Sequence, residues 1–206
     1  MKTRLFALVA AGLTAGAIIA YVTLPNSSIN TTAPADSSGT KVTGTALVGG
    51  PFALTDQTGK RVTEKDFLGK YMLVFFGFTN CPDICPSGLQ VVSAALDKLG
   101  TKADDITPVF VTLDAKRDTP EKLAAYVKSF HPRLVGLTGS EDDVAAAAKA
   151  YRVYFQKIVD EKTPDSYSYD HAALFYLMGK DGAFVAPIPH TTDVNEVVAA
   201  LDKAVR

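Results

Sequence analysis

The chain is poor in the residues that build reactive and metal-binding sites, with two cysteines and three histidines among 206 residues. It also lacks a block of basic residues, a glycine-rich loop that would cradle a phosphate, and any internal repeat. These absences argue against a nucleic-acid-binding protein and against a repeat architecture. Once Lys2 and Arg4 are set aside, 19 basic residues face 22 acidic ones, which leaves no positive surplus for a nucleic-acid partner.

Both cysteines lie in one short segment, 79–86, which reads Thr-Asn-Cys-Pro-Asp-Ile-Cys-Pro. An apolar, strand-like run precedes this segment and a helix-like pattern follows it, so the thiols stand at the start of a helix. Unpaired N–H groups and the helix dipole stabilise a thiolate there, and the thiolate is both the nucleophile and the metal ligand. The segment therefore predicts either a redox dithiol or a site for a soft metal.

The four-residue spacing of Cys81 and Cys85 narrows this choice only a little. On a regular helix such residues have Cβ atoms about 5–6 Å apart, whereas a disulfide needs about 3.5–4.5 Å. Pro82 and Pro86 favour a loop that tightens into a helix beginning near Pro86. A strained disulfide and two convergent thiolates both remain open. A purely structural disulfide is the weaker interpretation, because so short a loop removes little entropy from the unfolded chain.

The N-terminus predicts the compartment. Lys2 and Arg4 precede an uncharged apolar stretch, 5–24, which is long enough to span a bilayer at about 20 residues. Positive charge before the stretch and none immediately after it predicts a cytoplasmic N-terminus and an exported remainder. We therefore expect residues 1–24 to be an uncleaved membrane anchor, with a cleaved signal peptide as the alternative. No cysteine lies near it for lipid attachment.

Two further regions follow the predicted anchor. Residues 25–43 are rich in Ser, Thr, Ala, Pro and Gly and predict a flexible linker. Residues 44–206 fit one domain with a sizeable core. The predicted strands cover 52–54, 61–63, 71–78, 106–113, 134–137, 153–159, 173–178 and 184–186, and the predicted helices cover 86–100, 118–130, an Ala-rich segment after 140, and 193–205.

This order of elements, with a cysteine pair after the first long strand, predicts an α/β thioredoxin-like fold with a small N-terminal hairpin ahead of the main sheet. In such folds the chemistry lies at the carboxyl ends of the strands. Of the histidines, His131 precedes a proline at a helix end and is expected to be a solvated cation. His190 is expected in a loop, and His171 on a loop leading into the sheet. Spacing alone assigns none of the three to a site.

Several motifs occur in the order seen in the Sco/SenC family. They are the segments 50–56, 77–79 and 81–86, then position 114 together with 118–120, then 151–155, and finally 170–171, which precede 176–177. Over about residues 46–206 the chain thus resembles these membrane-tethered thioredoxin-like proteins, which handle copper for cytochrome c oxidase assembly. The resemblance implies that Cys81, Cys85 and His171 are copper ligands, with Asp170 and Asp114 in supporting roles.

One position departs from the family pattern. A small hydroxyl residue commonly follows the family's histidine, whereas Ala172 follows it here. This change removes a possible supporting hydrogen bond without touching a ligand.

Two function classes follow from the resemblance and the donor set. The first is a copper chaperone that is not an enzyme, binds Cu(I) or Cu(II), and serves the copper-site subunit of the oxidase after loading by a copper donor protein. The second is a thiol–disulfide reductase that uses Cys81 and Cys85 to keep that subunit's cysteines reduced. Zinc competes with copper for the same donors, and a peroxidase of related fold is a more distant alternative. The expected location is the bacterial cytoplasmic membrane, crossed once, with the C-terminal domain in the periplasm.

Overall fold

The computed structural model describes residues 48–160 and 163–205. The predicted anchor and linker lie outside the described residues. Within the described part of the chain, no helix combines the length and apolar character needed to cross a bilayer.

A seven-stranded sheet forms the centre of the domain. Its strands are β1 (Ala53–Asp56), β2 (Arg61–Thr63), β3 (Tyr71–Gly77), β4 (Ile106–Thr112), β5 (Val135–Thr138), β8 (Leu174–Met178) and β9 (Phe184–Pro189). They lie side by side in the order β2-β1-β5-β4-β3-β8-β9. The two pairs β3–β4 and β4–β5 are parallel, and every other neighbouring pair is antiparallel. All seven residues of β3 are buried, as expected of a continuous apolar strand covered on both faces.

In the part of the chain that the structure describes, four α-helices pack against the sheet, namely α1 (Ile84–Leu99), α2 (Pro120–Val127), α3 (Glu141–Ala150) and α4 (Val194–Ala204). Short 3₁₀ turns cover Glu64–Phe67 and Gly100–Asp105. Three of the α-helices begin at side-chain caps, because Thr119, Ser140 and Asp193 each accept a hydrogen bond from a backbone N–H in the first turn.

The alternation of side chains along β3 separates two hydrophobic cores. Leu73 and Phe75 point to the face covered by α1, α2 and α4, whereas Val74 and Phe76 point to the face covered by α3. Gly77 continues the first of these faces at the carboxyl end of the strand, so the α1 side of the sheet meets the cysteine segment there.

Several boundaries differ from the predictions. The N-terminal hairpin β1–β2 is present, but it joins the main sheet because β1 pairs with β5. The helix α2 ends at Val127 instead of 130, because the N–H groups of Ser129 and Phe130 donate to carbonyls three residues back in a tightened turn. The helix α1 begins at Ile84, two residues before the predicted start at Pro86, and Pro86 lies in its first turn, where an N–H needs no helical partner.

The largest difference is a second sheet. Two strands, β6 (Phe155–Asp160) and β7 (Thr163–His171), form an antiparallel ribbon. The sequence pattern predicts β6 but not β7, and it places His171 on a loop. That expectation is wrong, because His171 is the last residue of β7 and pairs with Phe155 across the ribbon.

Candidate metal centre

The cysteine segment lies at the carboxyl end of β3, where the chain turns into α1. Cys81 is half-buried and donates its N–H to the carbonyl of Phe78, and Cys85 is completely buried in the first turn of α1. Both thiols are free. The Cys85 N–H donates to Cys81 Sγ at 3.4 Å, so the first sulfur caps the helix that carries the second.

Burial sets the protonation state of Cys85. Desolvation raises the pKa of its thiol well above the usual range, and the nearby charges of Cys81 and Asp118 add to the effect. We expected the helix N-terminus to favour a thiolate, but for this buried cysteine desolvation outweighs that stabilisation. Cys85 is therefore a neutral thiol until a cation displaces its proton.

His171 faces this thiol from the end of β7. Its Nε2 lies 3.8 Å from Cys85 Sγ, while Nδ1–H donates to the carbonyl of Ala172 at 3.1 Å. This hydrogen bond assigns the proton to Nδ1 and leaves the Nε2 lone pair pointing at the sulfur. Burial lowers the pKa of His171, which keeps the ring neutral. The rings of Phe75 and Phe78 pack against it edge-on and fix its orientation.

The spacing of this pair suits coordination. Ligand bonds of about 2.3 Å to sulfur and 2.0 Å to nitrogen, opened to a trigonal angle, place the two donor atoms about 3.7 Å apart. The observed 3.8 Å between Cys85 Sγ and His171 Nε2 matches that separation. In residues 48–160 and 163–205, no three His, Cys, Asp or Glu side chains form a ready-made metal cage. The sulfur of Cys81 is directed at the Cys85 N–H instead.

Asp114 is completely buried, but it contacts the ribbon rather than the imidazole. Its Oδ1 accepts a hydrogen bond from the Tyr167 hydroxyl at 2.9 Å, and its Oδ2 accepts one from Nε of Arg117. Tyr167 lies on β7, four residues before His171. Any support that Asp114 gives to the imidazole therefore passes through β7.

Asp170 lies exposed on the opposite face of β7 from His171. Its charge acts to raise the pKa of His171, but this effect is smaller than that of burial. The Ala172 carbonyl accepts the Nδ1–H that a supporting carboxylate would otherwise take. The Ala172 side chain lacks the family's hydroxyl, yet the backbone of the same residue supplies an acceptor.

Asp118 supports the cysteine segment, although the sequence indicates it only as part of a helix start and of the motif formed by 114 with 118–120. It is completely buried and accepts hydrogen bonds from the Thr79 N–H at 2.9 Å, the Thr79 hydroxyl at 2.6 Å and the Thr112 hydroxyl at 2.6 Å. Lys122 Nζ lies 3.2 Å from Oδ1 of Asp118, the oxygen that also accepts the Thr79 hydroxyl. Asp118 therefore ties the start of the cysteine segment to the end of β4. In the sequence, the four-residue spacing of Asp114 and Asp118 directly after a buried strand is the signal that could have indicated this role.

The other two histidines lie apart from the Cys85–His171 pair. His131 is buried, and burial together with Arg133 lowers its pKa, so the expectation of a solvated cation is wrong. His190 follows β9, stacks on the ring of Phe175, and lies with Nε2 3.4 Å from the Ser87 hydroxyl on α1.

The fold is a mixed β-sheet with helices on both faces, and a Cys-x-x-x-Cys stands at the start of one helix. An imidazole faces the second thiol of this pair. These features define a thioredoxin-like protein with a thiol–imidazole site. Comparison with known proteins identifies the family to which the chain belongs. The family model described as SCO1/SenC matches residues 40–206, and the chain belongs to this family. The resemblance and the thioredoxin-like fold predicted from the sequence are thereby confirmed.

Individual relatives agree with this assignment. The chain is 43% identical over 160 residues to the human mitochondrial SCO1 homologue, a match that covers 77% of this chain and 53% of the human protein. The matched region thus spans about half of that relative. The solved structure of Bradyrhizobium japonicum ScoI with copper bound is 43% identical and superposes with a TM-score of 0.70, covering 76% of this chain and 99% of that one. Yeast Sco1 with copper bound is 42% identical, with a TM-score of 0.71 over 77% of this chain and 88% of that one.

Proposed function

We propose that this chain binds copper through Cys81, Cys85 and His171 and delivers it to the copper-site subunit of cytochrome c oxidase during assembly. The copper-bound structures of the related ScoI and Sco1 proteins support the copper site. The oxidase role rests on the family resemblance. The observation that carries the proposal is the neutral imidazole whose Nε2 faces the buried Cys85 sulfur at 3.8 Å.

The donor set accounts for the choice of metal. Two sulfurs and one imidazole are soft to borderline donors, which suit Cu(I) in trigonal geometry, whereas Cu(II) needs a fourth and weaker ligand such as water. Cys81 is the ligand that has to turn, because its sulfur now accepts the Cys85 N–H. Three protein ligands leave one side of the ion open, which allows the copper cargo to be passed on. Zinc suits the same donors and is the competitor to test.

A thiol–disulfide reductase is the second candidate, and the unequal exposure of the two thiols supports it. Cys81 is partly accessible, as an attacking thiol must be, and Cys85 is buried beside it as a resolving thiol would be. Such an enzyme needs no imidazole facing its thiols, so the position of His171 favours copper binding. We propose delivery of copper, without enzymatic turnover, as the main role.

We further propose, from the sequence alone, that residues 1–24 anchor the chain in the bacterial cytoplasmic membrane. The copper-binding domain then faces the periplasm, where a copper donor protein loads it. In an exported compartment the cysteines are open to oxidation, and a disulfide between them would prevent loading, because the paired sulfurs are no longer thiolates.

Replacing His171 by Ala tests the proposal. The reduced full chain is titrated with Cu(I) and with Cu(II) against competing chelators. Loss of even a supporting partner typically lowers metal affinity about 10–100-fold, so losing the imidazole should weaken Cu(II) binding by at least that much. Cu(I) should lose far less, because two thiolates can hold it in a near-linear arrangement. Oxidase activity in cells carrying the variant should fall.

The matched control is His190→Ala, which removes an imidazole that contacts Ser87 on the same helix but does not face Cys85. It should leave both affinities near those of the wild type. Unchanged Cu(II) affinity in the His171 variant would remove this residue from the site. Normal oxidase activity in that variant, with thiol reduction intact, would favour the reductase.

A further inference from the structure

The ribbon that carries His171 needs an anchor outside itself. Within the described residues, β6 and β7 hydrogen-bond to each other in a sheet separate from the seven-stranded one. Such a two-stranded ribbon is marginally stable alone. Ile158 and Val159 are neighbours in β6, so they lie on opposite faces of the strand, and they are 47% and 48% exposed; this part of the ribbon therefore gains little from burial on either face. The position of His171 must therefore depend on contacts that β7 makes with the body of the domain.

Tyr167 makes polar contacts of this kind. Its hydroxyl donates to Asp114 Oδ1 at 2.9 Å, and its backbone carbonyl accepts from Arg117 Nη1 at 3.0 Å. Arg117 also donates from Nε to Asp114. One guanidinium thus links a completely buried carboxylate to the backbone of β7. We refer to Asp114, Arg117 and Tyr167 as the ribbon latch.

The ring of Tyr167 is held as well as its polar groups. The Arg117 Cζ lies 3.6 Å from the ring centroid and the Lys157 Nζ lies 3.7 Å from it. Two cations so close to one centroid cannot share a face, so the ring lies between them. Each contact is of the cation–π kind, and the 3.6 Å distance of Arg117 Cζ is one at which a planar guanidinium can stack on the ring. The pKa of the Tyr167 hydroxyl is raised to about 12 by burial and the Asp114 carboxylate, so the phenol stays a donor.

The latch shares a short segment with the support of the cysteines. Asp114 and Arg117 hold β7, while Asp118, at the end of the same five residues, holds Thr79, two positions before Cys81. Tyr167 lies on the same face of β7 as His171, four residues and about 13 Å away along the strand. Segment 114–118 therefore contacts both parts of the chain that supply the proposed ligands.

We propose that Arg117 is a positioning residue for the metal centre, because the ribbon latch fixes how far His171 stands from Cys85. The inference rests on the proposed copper function. The contacts of Arg117 are with Asp114 and Tyr167 and with none of the three proposed ligands, so it acts through β7. Cu(II) depends on the imidazole more than Cu(I) does, so a loosened latch weakens Cu(II) binding selectively.

Arg117→Lys in the full chain is the test. Lysine keeps the charge, but it is a point donor that cannot bond Asp114 and the Tyr167 carbonyl while stacking flat on the ring. Cu(II) affinity should fall about tenfold, the scale for losing a supporting partner of a metal ligand, and the Cu(II) absorption and EPR spectra should change. Cu(I) affinity should change less. Tyr167→Phe keeps the ring between its cations and loses only the hydroxyl, so it should give a smaller effect of the same kind.

The control is Arg133→Lys, which alters a more exposed arginine whose Nη1 pairs with Asp104 at 3.0 Å. It should leave copper affinity and spectra unchanged. Wild-type Cu(II) affinity and spectra in both latch variants would overturn the inference, and if Arg117→Lys does not fold, Tyr167→Phe alone decides.

A metal-free measurement separates this inference from the proposed function. NMR signals of the His171 ring are compared in reduced wild type, Arg117→Lys and Arg133→Lys, without copper. A change confined to Arg117→Lys supports the latch even if the wild type binds no copper, in which case only the proposed function fails. Identical ring signals in all three would overturn the latch.

Discussion

At the scale of single residues, the position of the Cys85 sulfur depends on the absence of one methyl group. A Cβ added to Gly77 would lie 2.6 Å from Cys85 Sγ and 2.9 Å from the ring of Phe110. These distances are shorter than any real packing contact. Glycine is required at this position for space, since its backbone φ is not in the left-handed region.

Gly77→Ala should therefore push the Cys85 side chain out of its pocket. We expect a loss of about 1–3 kcal/mol in the free energy of unfolding, the usual cost of overpacking a core, together with weaker copper binding. Urea unfolding and chelator competition on the reduced full chain measure the two effects.

Gly88→Ala adds a methyl to α1, the helix that carries Cys85, where it would meet the edge of the His190 ring at 3.0 Å and Cζ of Phe175 at 3.2 Å. These distances ask the neighbours to shift by only a few tenths of an ångström, less than at Gly77, and alanine favours the helix by about 1 kcal/mol over glycine. The control should therefore stay close to wild type in both measurements. Equal behaviour of the two variants would show that Cys85 has room to move.

The sequence predicted some residues of the candidate site better than others. Cys81 and Cys85 stand out because they are the only cysteines and directly follow an apolar strand. His171 required the family resemblance, because a single imidazole carries no spacing signal. The burial of Cys85, which reverses the expected thiolate character, depends on residues far along the chain and was not predictable locally.

At the scale of elements, the cysteine segment is held from the side by the turn before α2. Asp118 accepts three hydrogen bonds from the Thr79 and Thr112 groups while completely buried, and Lys122 balances part of its charge. A buried acceptor that is left without a donor costs its full desolvation free energy. The hydrogen bonds of this single carboxylate therefore join three elements of the domain.

Asp118→Asn should loosen this junction, since an amide has one acceptor oxygen where the carboxylate has two. We expect a loss of about 1–3 kcal/mol in the free energy of unfolding and faster amide exchange at Thr79. Denaturant titration and NMR-detected exchange on the reduced full chain measure these effects.

The same substitution at Asp105 is the control. That carboxylate is exposed and pairs with Lys180 at 2.6 Å, and exposed pairs contribute about 0–1 kcal/mol. Thr79 exchange should be unchanged there. If both variants exchange Thr79 at the wild-type rate, the Asp118 contacts do not hold the cysteine segment.

The sequence predicted helices and strands that bury one apolar face or both faces. It missed a strand whose buried face carries polar aromatic side chains. The apolar run of β3 and the capped starts of α2 and α3 follow from local patterns. The strand β7 alternates Tyr167, Tyr169 and His171 on its inward face with exposed serines and an aspartate, and it was missed because that inward face carries no aliphatic side chain. The strand β9 extends past its predicted end, through Pro187 and Pro189. Prolines are tolerated there because β9 is an edge strand.

At the scale of the whole molecule, stability depends on both faces of one sheet, and His131 connects that stability to pH. Its ring is only 8% exposed, and its Nδ1 accepts the Arg133 N–H at 3.2 Å. Burial lowers the pKa of His131 first and Arg133 adds to this, while Asp97, 3.6 Å from Nε2, acts in the opposite direction. The buried ring is therefore held neutral in the folded protein.

This lowered pKa makes the folded state sensitive to acid. In the unfolded chain histidine takes up its proton near pH 6.5, at about its ordinary pKa. The folded protein binds that proton only at lower pH. The stabilisation is therefore complete above about pH 6.5 and is lost as the pH falls toward the folded-state pKa, with a slope of at most about 1.4 kcal/mol per pH unit for one proton.

His131→Asn isolates this contribution, because the amide oxygen can still accept the Arg133 N–H but does not titrate. Urea unfolding of the reduced, metal-free full chain is measured at about pH 7.5, 6.5 and 5.5. The wild type should lose more free energy of unfolding than the variant over this range. Burial lowers the pKa of His171 in the same direction, so both proteins keep its contribution and only the difference between them belongs to His131. Parallel curves would mean that the His131 ring is protonated as readily in the folded protein as in the unfolded chain.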